Sequence, residues 1–179
     1  MSGAVVWLTG LPGSGKTSIA KVVYRKLREQ GCRVEVLDGD EVRRWLSPEA
    51  GFTREDRERH LRRVAHVARL LGRNGVIVLC CFVSPYRSIR GEVRRIVESG
   101  GVRFFEVFVK CSLEECMRRD PKGLYKRALR GEIKHMTGLD DPYEPPEKPD
   151  LILDSERLSA EENADLLFEK LISWGVISL

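Results

Sequence analysis

Short uninterrupted apolar runs alternate along the chain with longer stretches in which apolar positions recur every three or four residues. Ala4, Val5, Val6, Trp7 and Leu8 form the first run, and a continuous run of this kind predicts a parallel strand buried on both faces. After Lys16, Ile19, Val23 and Leu27 fall every fourth residue, Ala20 and Tyr24 widen that face, and Gly31 follows as a stop, which predicts a helix. The same reading places strands over 34–37, 76–83, 104–109 and 151–153. It places helices over 41–46, 54–74, 89–97 and 113–119, and from after Ser159 to about Trp174. Thr53 with Asp56, Ser112 with Glu115 and Ser159 with Glu162 have the spacing of capping boxes at three helix starts.

Strands alternating with helices imply right-handed crossovers and an α/β fold, a mostly parallel five-stranded sheet covered on both faces. The exception is 120–149, rich in Lys, Gly, Asp and Pro. Its length without an obvious element predicts a functional loop or lid.

At 179 residues and 42% apolar, the chain suits one core, and a single domain over 1–179 is expected. The net charge of +4 is modest and 27 acidic residues are dispersed among the basic ones, a balance that favours small anionic substrates over a nucleic-acid backbone. The stretch from Met1 to Thr9 has no basic region before its apolar run and no small-residue cleavage site, and no apolar run approaches membrane-spanning length. A soluble cytoplasmic protein is the expectation. The five cysteines lack a Cys-x-x-Cys pair and read as small buried hydrophobes, with Cys80 and Cys81 inside a strand.

Between the first strand and the first helix lies Gly10-Leu11-Pro12-Gly13-Ser14-Gly15-Lys16-Thr17, the Gly-x-x-x-x-Gly-Lys-Ser/Thr pattern of a phosphate-binding loop. Glycines let successive backbone N–H groups point at phosphate oxygens, here from Gly13, Ser14, Gly15 and Lys16, and the helix that follows adds its positive end. Lys16 is expected to reach the β- and γ-phosphates and Thr17 to bind Mg²⁺. In many such proteins a later apolar strand ends in an acid that helps hold the metal, yet 76–83 has none and leads into Ser84. Acids occur instead at Asp38 and Asp40 around Gly39. One could face the metal's waters while the other orients the acceptor, or either could cap the helix that follows. Asp40 is taken as the catalytic carboxylate, with a water-mediated role at the metal beside Thr17.

Further motifs follow in order: Asp38-Gly39-Asp40 with Arg43, Gly51-Phe52 with Asp56-Arg57, Ser84-Pro85-Tyr86-Arg87, and a segment from Lys122-Gly123-Leu124-Tyr125 to Asp140-Asp141-Pro142-Tyr143-Glu144-Pro145-Pro146. Together with the loop they resemble the adenylylsulfate (APS) kinase family over most of the chain. The resemblance implies a P-loop kinase-type three-layer sandwich that transfers the ATP γ-phosphoryl group to the 3′-hydroxyl of APS, with Mg²⁺ as cofactor and a homodimer as the assembly. It implies ATP contacts from residues 10–18, ending at Ser18. It implies phosphosulfate contacts from Arg43 and Arg57, an adenine face from Phe52, and a lid over the nucleotides from Lys122, Gly123 and Leu124. Val83, Ser84 and Pro85 would line the substrate, and Ser84 corresponds to a serine treated in the family as a transient phosphoacceptor; a plain turn role ahead of Pro85 is the favoured reading.

The chain departs from the family pattern at His60, where Asn is usual, and at Met136 before Thr137, where Phe is usual. His60 retains one hydrogen bond to offer, and Met136 can cover a purine face opposite Phe52. Two other readings share parts of this evidence. A different small-molecule or nucleotide kinase would keep the loop and sheet but change the acceptor pocket. A non-catalytic, RNA-associated module would want exposed aromatics among its arginines, but aromatics are 7% of the chain and Trp7, Phe82 and Phe108 fall in strands expected to be core.

Overall fold

The computed structural model describes residues 3–178; Met1, Ser2 and Leu179, the ends of the expected 1–179 domain and of the stretch read for targeting signals, lie outside the described residues. Among the described residues the strands are β1 (Ala4–Thr9), β2 (Val34–Asp38), β3 (Ile77–Cys81), β4 (Arg103–Lys110) and β5 (Leu151–Asp154). The helices are α1 (Lys16–Glu29), α2 (Gly39–Leu46), α3 (Arg54–Arg73), α4 (Arg87–Glu98), α5 (Leu113–Arg119), α6 (Leu124–Leu129) and α7 (Ala160–Ser173). All strand pairs are parallel, in the order β2-β3-β1-β4-β5.

Period-two alternation explains the three layers. Ala4, Val6 and Leu8 of β1 join Ile77, Leu79 and Cys81 of β3 in a core with Ile19, Val23 and Leu27 of α1 and Leu167 and Leu171 of α7. The intervening Val5, Trp7, Val78 and Cys80 face the other way, onto Leu61, Val64, Ala65 and Ala68 of α3 and Ile89, Val93 and Val97 of α4. Strands buried on both faces need apolar residues at every position, which is why they read as unbroken runs. All five cysteines are buried, and no helix among the described residues is long and apolar enough to cross a membrane.

Several local expectations change. The third strand is shorter than 76–83, because Ser84 takes a left-handed φ of 42° and turns the chain away from the sheet. The helix expected from 41 begins at Gly39, since the Asp38 carboxylate caps it by accepting from the Asp40 N–H. The expected capping box at Ser112 is half made: Ser112 Oγ accepts from the Glu115 N–H, but the Glu115 carboxylate turns to Arg118 and Arg119. At Thr53 the reciprocal half is also different, because the short Asp56 carboxylate accepts from the Thr53 hydroxyl. The box at Ser159 and Glu162 is complete. Phe108 is half-buried rather than core, its ring against Tyr143. Finally, 120–149 contains α6, whose first turn is fixed by the Asp120 carboxylate accepting from the N–H groups of Tyr125 and Lys126.

Candidate active site

The carboxyl ends of β1, β2, β3 and β5 open onto one cavity of about 1220 Å³. Open parallel sheets bind ligands at that edge. Nine Lys and Arg line it against five Asp and Glu, an excess as large as that of the whole chain. A site so built favours polyanions.

The glycine-rich loop runs from β1 to α1. Gly15, at φ 99°, is the residue before the helix, a conformation in which L side chains are strained. Gly10 is required sterically, because a Cβ there would lie 2.6 Å from the Val109 carbonyl oxygen. Lys16 is 8% exposed, and its Nζ donates to the carbonyl oxygens of Gly10 and Leu11, both at 2.9 Å. Burial pulls its pKa down to about 8. Leu11 faces a smaller pocket, while Pro12, Gly13, Gly15, Lys16, Thr17 and Ser18 line the main cavity. Ser14 is fully buried inside the loop.

The two acids separate in role by their contacts. Thr17 Oγ1 donates to Asp38 Oδ2 at 2.5 Å, whereas Asp40 is exposed and ion-paired with Lys122. Asp38, not Asp40, is the carboxylate bonded to Thr17, and the cap that Asp38 makes at the start of α2 leaves the Asp40 side chain exposed. Thr17 and Asp38 are hard oxygen donors suited to Mg²⁺. Among the described residues no cluster of three His, Cys, Asp or Glu could hold a metal.

Arg43 and Arg57 flank Phe52, with guanidinium carbons 4.4 and 6.0 Å from its ring centre. Arg43 donates to the carbonyls of Ala50 and Gly51. Arg57 donates to the Phe52 carbonyl at 2.9 Å, to Thr137 Oγ1 at 2.7 Å and to the His135 carbonyl, so it ties the start of α3 to residues 135–137. Burial, and then the charge of Arg57, lowers the Arg43 pKa, against the opposing pull of Asp56 and Asp40. Phe52 is 55% exposed. Met136 lines the same cavity as Phe52 but is 5% exposed, packed with Cys111, Cys116 and Tyr125 in a small third core.

His60 is buried, its Nδ1 2.8 Å from Ser47 Oγ, and burial lowers its pKa to about 4. Val83, Ser84 and Pro85 form a turn in the cavity wall. Ser84 Oγ accepts from Trp7 Nε1 at 3.0 Å and donates to the Phe82 carbonyl at 3.1 Å. Lys122, Leu124 and Thr137 also line the cavity, with Gly123 at the start of α6.

Sequence reasoning missed Arg119 and residues 155–160, which complete the wall. Arg119 donates to the Ser155 carbonyl at 2.6 Å and binds α5 to the segment after β5. Asn163, fully buried, holds that segment by donating to the Asp154, Leu158 and Ser159 carbonyls. The signal available was topological: the loop after a fifth parallel strand falls at the same edge as the first.

A five-stranded parallel sheet with a glycine-rich phosphate loop and a cationic cavity defines a phosphotransferase of the P-loop kinase class. The family model for adenylylsulphate kinase matches residues 2–154. The chain is 61% identical over 166 residues to a probable adenylyl-sulfate kinase of Aeropyrum pernix, covering 93% of this chain and 91% of that one. Among solved structures, it is similar to Mycobacterium tuberculosis APS kinase in complex with AMPPNP and APS, at 47% identity and a TM-score of 0.93, covering 96% and 98% of the two chains. It is similar also to hexameric APS kinase from Thiobacillus denitrificans, at 31% identity and a TM-score of 0.76, covering 99% of this chain and 30% of that one. The chain belongs to the adenylylsulphate kinase family.

Proposed function

We propose that this chain transfers the γ-phosphoryl group of ATP to the 3′-hydroxyl of APS, releasing ADP and 3′-phosphoadenosine 5′-phosphosulfate. The observation that carries it is the presence, in one cavity, of a phosphate loop and a separate guanidinium pair around an exposed aromatic ring. The loop takes the donor phosphates. Arg43 and Arg57 take the phosphosulfate, because planar guanidinium groups match oxyanions in two directions. Phe52 stacks on the acceptor's adenine.

The acceptor oxygen attacks the γ-phosphorus in line as the bond to the β–γ bridging oxygen breaks. Asp40, released from Lys122 as phosphates draw that lysine in, orients the hydroxyl and receives its proton. Thr17 and Asp38 would hold Mg²⁺, which when bound neutralises charge on the phosphate oxygens. Ser84 has no role as a nucleophile in this scheme: the residue is buried and its hydroxyl proton is given to the Phe82 carbonyl. Phosphoryl transfer works by positioning and charge stabilisation, so direct attack suffices. A cytoplasmic setting and a homodimer complete the proposal; of the relatives, the Thiobacillus denitrificans protein is described as hexameric.

The test is ADP release from ATP with APS offered beside AMP, adenosine and gluconate. Only APS should support rapid release. Equal release with any of the others would overturn the acceptor assignment.

A second measurement locates the acceptor. Phe52→Ala should raise the KM for APS by about five- to 150-fold, since stacking of a base on an aromatic side chain is worth about 1–3 kcal/mol. The KM for ATP should not change. Met136→Ala should act on stability instead, by about 2–5 kcal/mol as for other buried Met-to-Ala changes. A Phe52→Ala protein that binds ATP less well and APS normally would move this ring to the donor side.

A further inference from the structure

Besides the contacts of Lys122 with Asp40 and of Arg57 with residues 135–137, residues 120–149 are anchored to the cavity wall through two tyrosines. In the first part, Tyr125 of α6 is 2% exposed, and its hydroxyl donates to the Pro12 carbonyl at 2.7 Å. Its ring packs against Cys116 and Met136 beneath the phosphate loop, and a Cβ on Gly13 would lie 3.8 Å from it. This tyrosine holds the loop's outer strand of backbone.

The second part contacts the turn that follows β3. Thr9 Oγ1 carries one proton and places it on the Val83 carbonyl at 2.7 Å. Tyr143, 2.9 Å from the same oxygen, must therefore be the donor to Thr9. Next to it, the Glu144 N–H donates to the Pro85 carbonyl at 2.8 Å, and the Glu144 carboxylate accepts from the Arg87 N–H at the start of α4. Arg90, 2% exposed, donates to the Ser84 carbonyl at 2.6 Å and to the Glu144 carbonyl, with Glu106 as its ion-pair partner at 3.3 Å. These bonds converge on Val83, Ser84 and Pro85, where Ser84 is held at φ 42°. A non-glycine residue stays in that region only when its surroundings fix it.

We propose that Tyr125 and Tyr143 are positioning residues that divide this segment in function, Tyr125 setting the phosphate loop for the donor and Tyr143, backed by Arg90, setting the 83–85 turn for the acceptor. The division deepens the reading above and rests on its placement of ATP at the loop and APS beside the turn. The segment is then two devices joined in sequence. Its first half is tied to the donor site, and its second half to the acceptor site.

The experiment is a crossed pair of hydroxyl deletions in the full chain, Tyr125→Phe and Tyr143→Phe, each retaining the ring and its packing. Loss of one buried hydrogen bond predicts about a three- to tenfold change in the affected constant. Tyr143→Phe should raise the KM for APS by that factor and leave the KM for ATP within about twofold; Tyr125→Phe should do the reverse. A merely structural role would lower both affinities together in each variant. Hydrogen exchange on the unliganded proteins gives a readout independent of turnover: Tyr143→Phe should speed exchange at the Glu144 and Arg87 amides, and Tyr125→Phe at the Ser14 amide, which donates to Leu11. Parallel shifts in both constants, no shift in either, or unchanged exchange at those amides would overturn the division. Failure of the parent protein to release ADP with APS would instead defeat the functional reading, and the exchange pattern would still decide the anchoring.

Discussion

Lys16→Ala should lower the rate of ADP formation by at least about a hundredfold, the usual cost of removing one preorganised group that stabilises charge in the transition state. The Lys16 ammonium donates to two carbonyl oxygens of its own loop, so it is held beside the backbone that would cradle the phosphates. The fold should survive the change, because the loop's course is set by its glycines and by the Tyr125 anchor rather than by the Lys16 side chain. Depression of the pKa to about 8 by burial supplies a second signature. Above pH 8 the free protein carries a growing fraction of neutral Lys16, while phosphate oxygens favour the ammonium. ATP binding near pH 8.5 should therefore take up a proton, seen as a binding heat that depends on the ionisation enthalpy of the buffer, and Lys16→Ala should abolish that dependence. Near-parental turnover by a folded Lys16→Ala protein would remove the loop from the mechanism.

What the sequence makes legible here is what depends on neighbours in the chain. The β1, α1 and β4 positions follow from continuous or four-residue apolar periodicity, because burial on both faces or on one stripe writes itself directly into residue order. The loop is legible for the same reason, its glycines being needed at fixed offsets by the backbone alone. The resemblance carries the reading further, to the acceptor pocket proposed at Arg43, Phe52 and Arg57. What was not legible depends on contacts between distant residues. Periodicity gives no sign of α6, a six-residue helix nucleated by the Asp120 carboxylate and buried through Tyr125 against the loop more than a hundred positions earlier. Met136 reads as a free apolar side chain until the third core forms around it. Asp38 and Asp40 are indistinguishable by spacing; the left-over backbone N–H at the start of α2 decides between them, and it takes Asp38.

That decision yields the sharpest mutational contrast. Asn caps a helix as well as Asp does, so Asp38→Asn and Asp40→Asn should both fold, and a role limited to capping predicts little loss from either. Asp40→Asn keeps shape but loses the carboxylate assigned to the attacking hydroxyl. Its turnover should fall by about two to four orders of magnitude, the range for loss of a positioned general base, with nucleotide affinity kept. Asp38→Asn removes the charge beside Thr17, the pair proposed to hold the metal that accompanies the phosphates. Its loss should be recovered in part by raising the Mg²⁺ concentration, because a site formed by one carboxylate, one hydroxyl and the phosphates responds to the missing charge as weaker metal binding. No such recovery is expected for Asp40→Asn. Lys122→Met gives the control on the exposed ion pair: it frees Asp40 in the unliganded protein but also removes a cation from the lid, so it should weaken ATP binding without reproducing the turnover loss. If Asp40→Asn keeps most of its activity while Asp38→Asn is inactive at every Mg²⁺ concentration, the two carboxylates exchange roles, and the base in this cavity is the one that also caps α2.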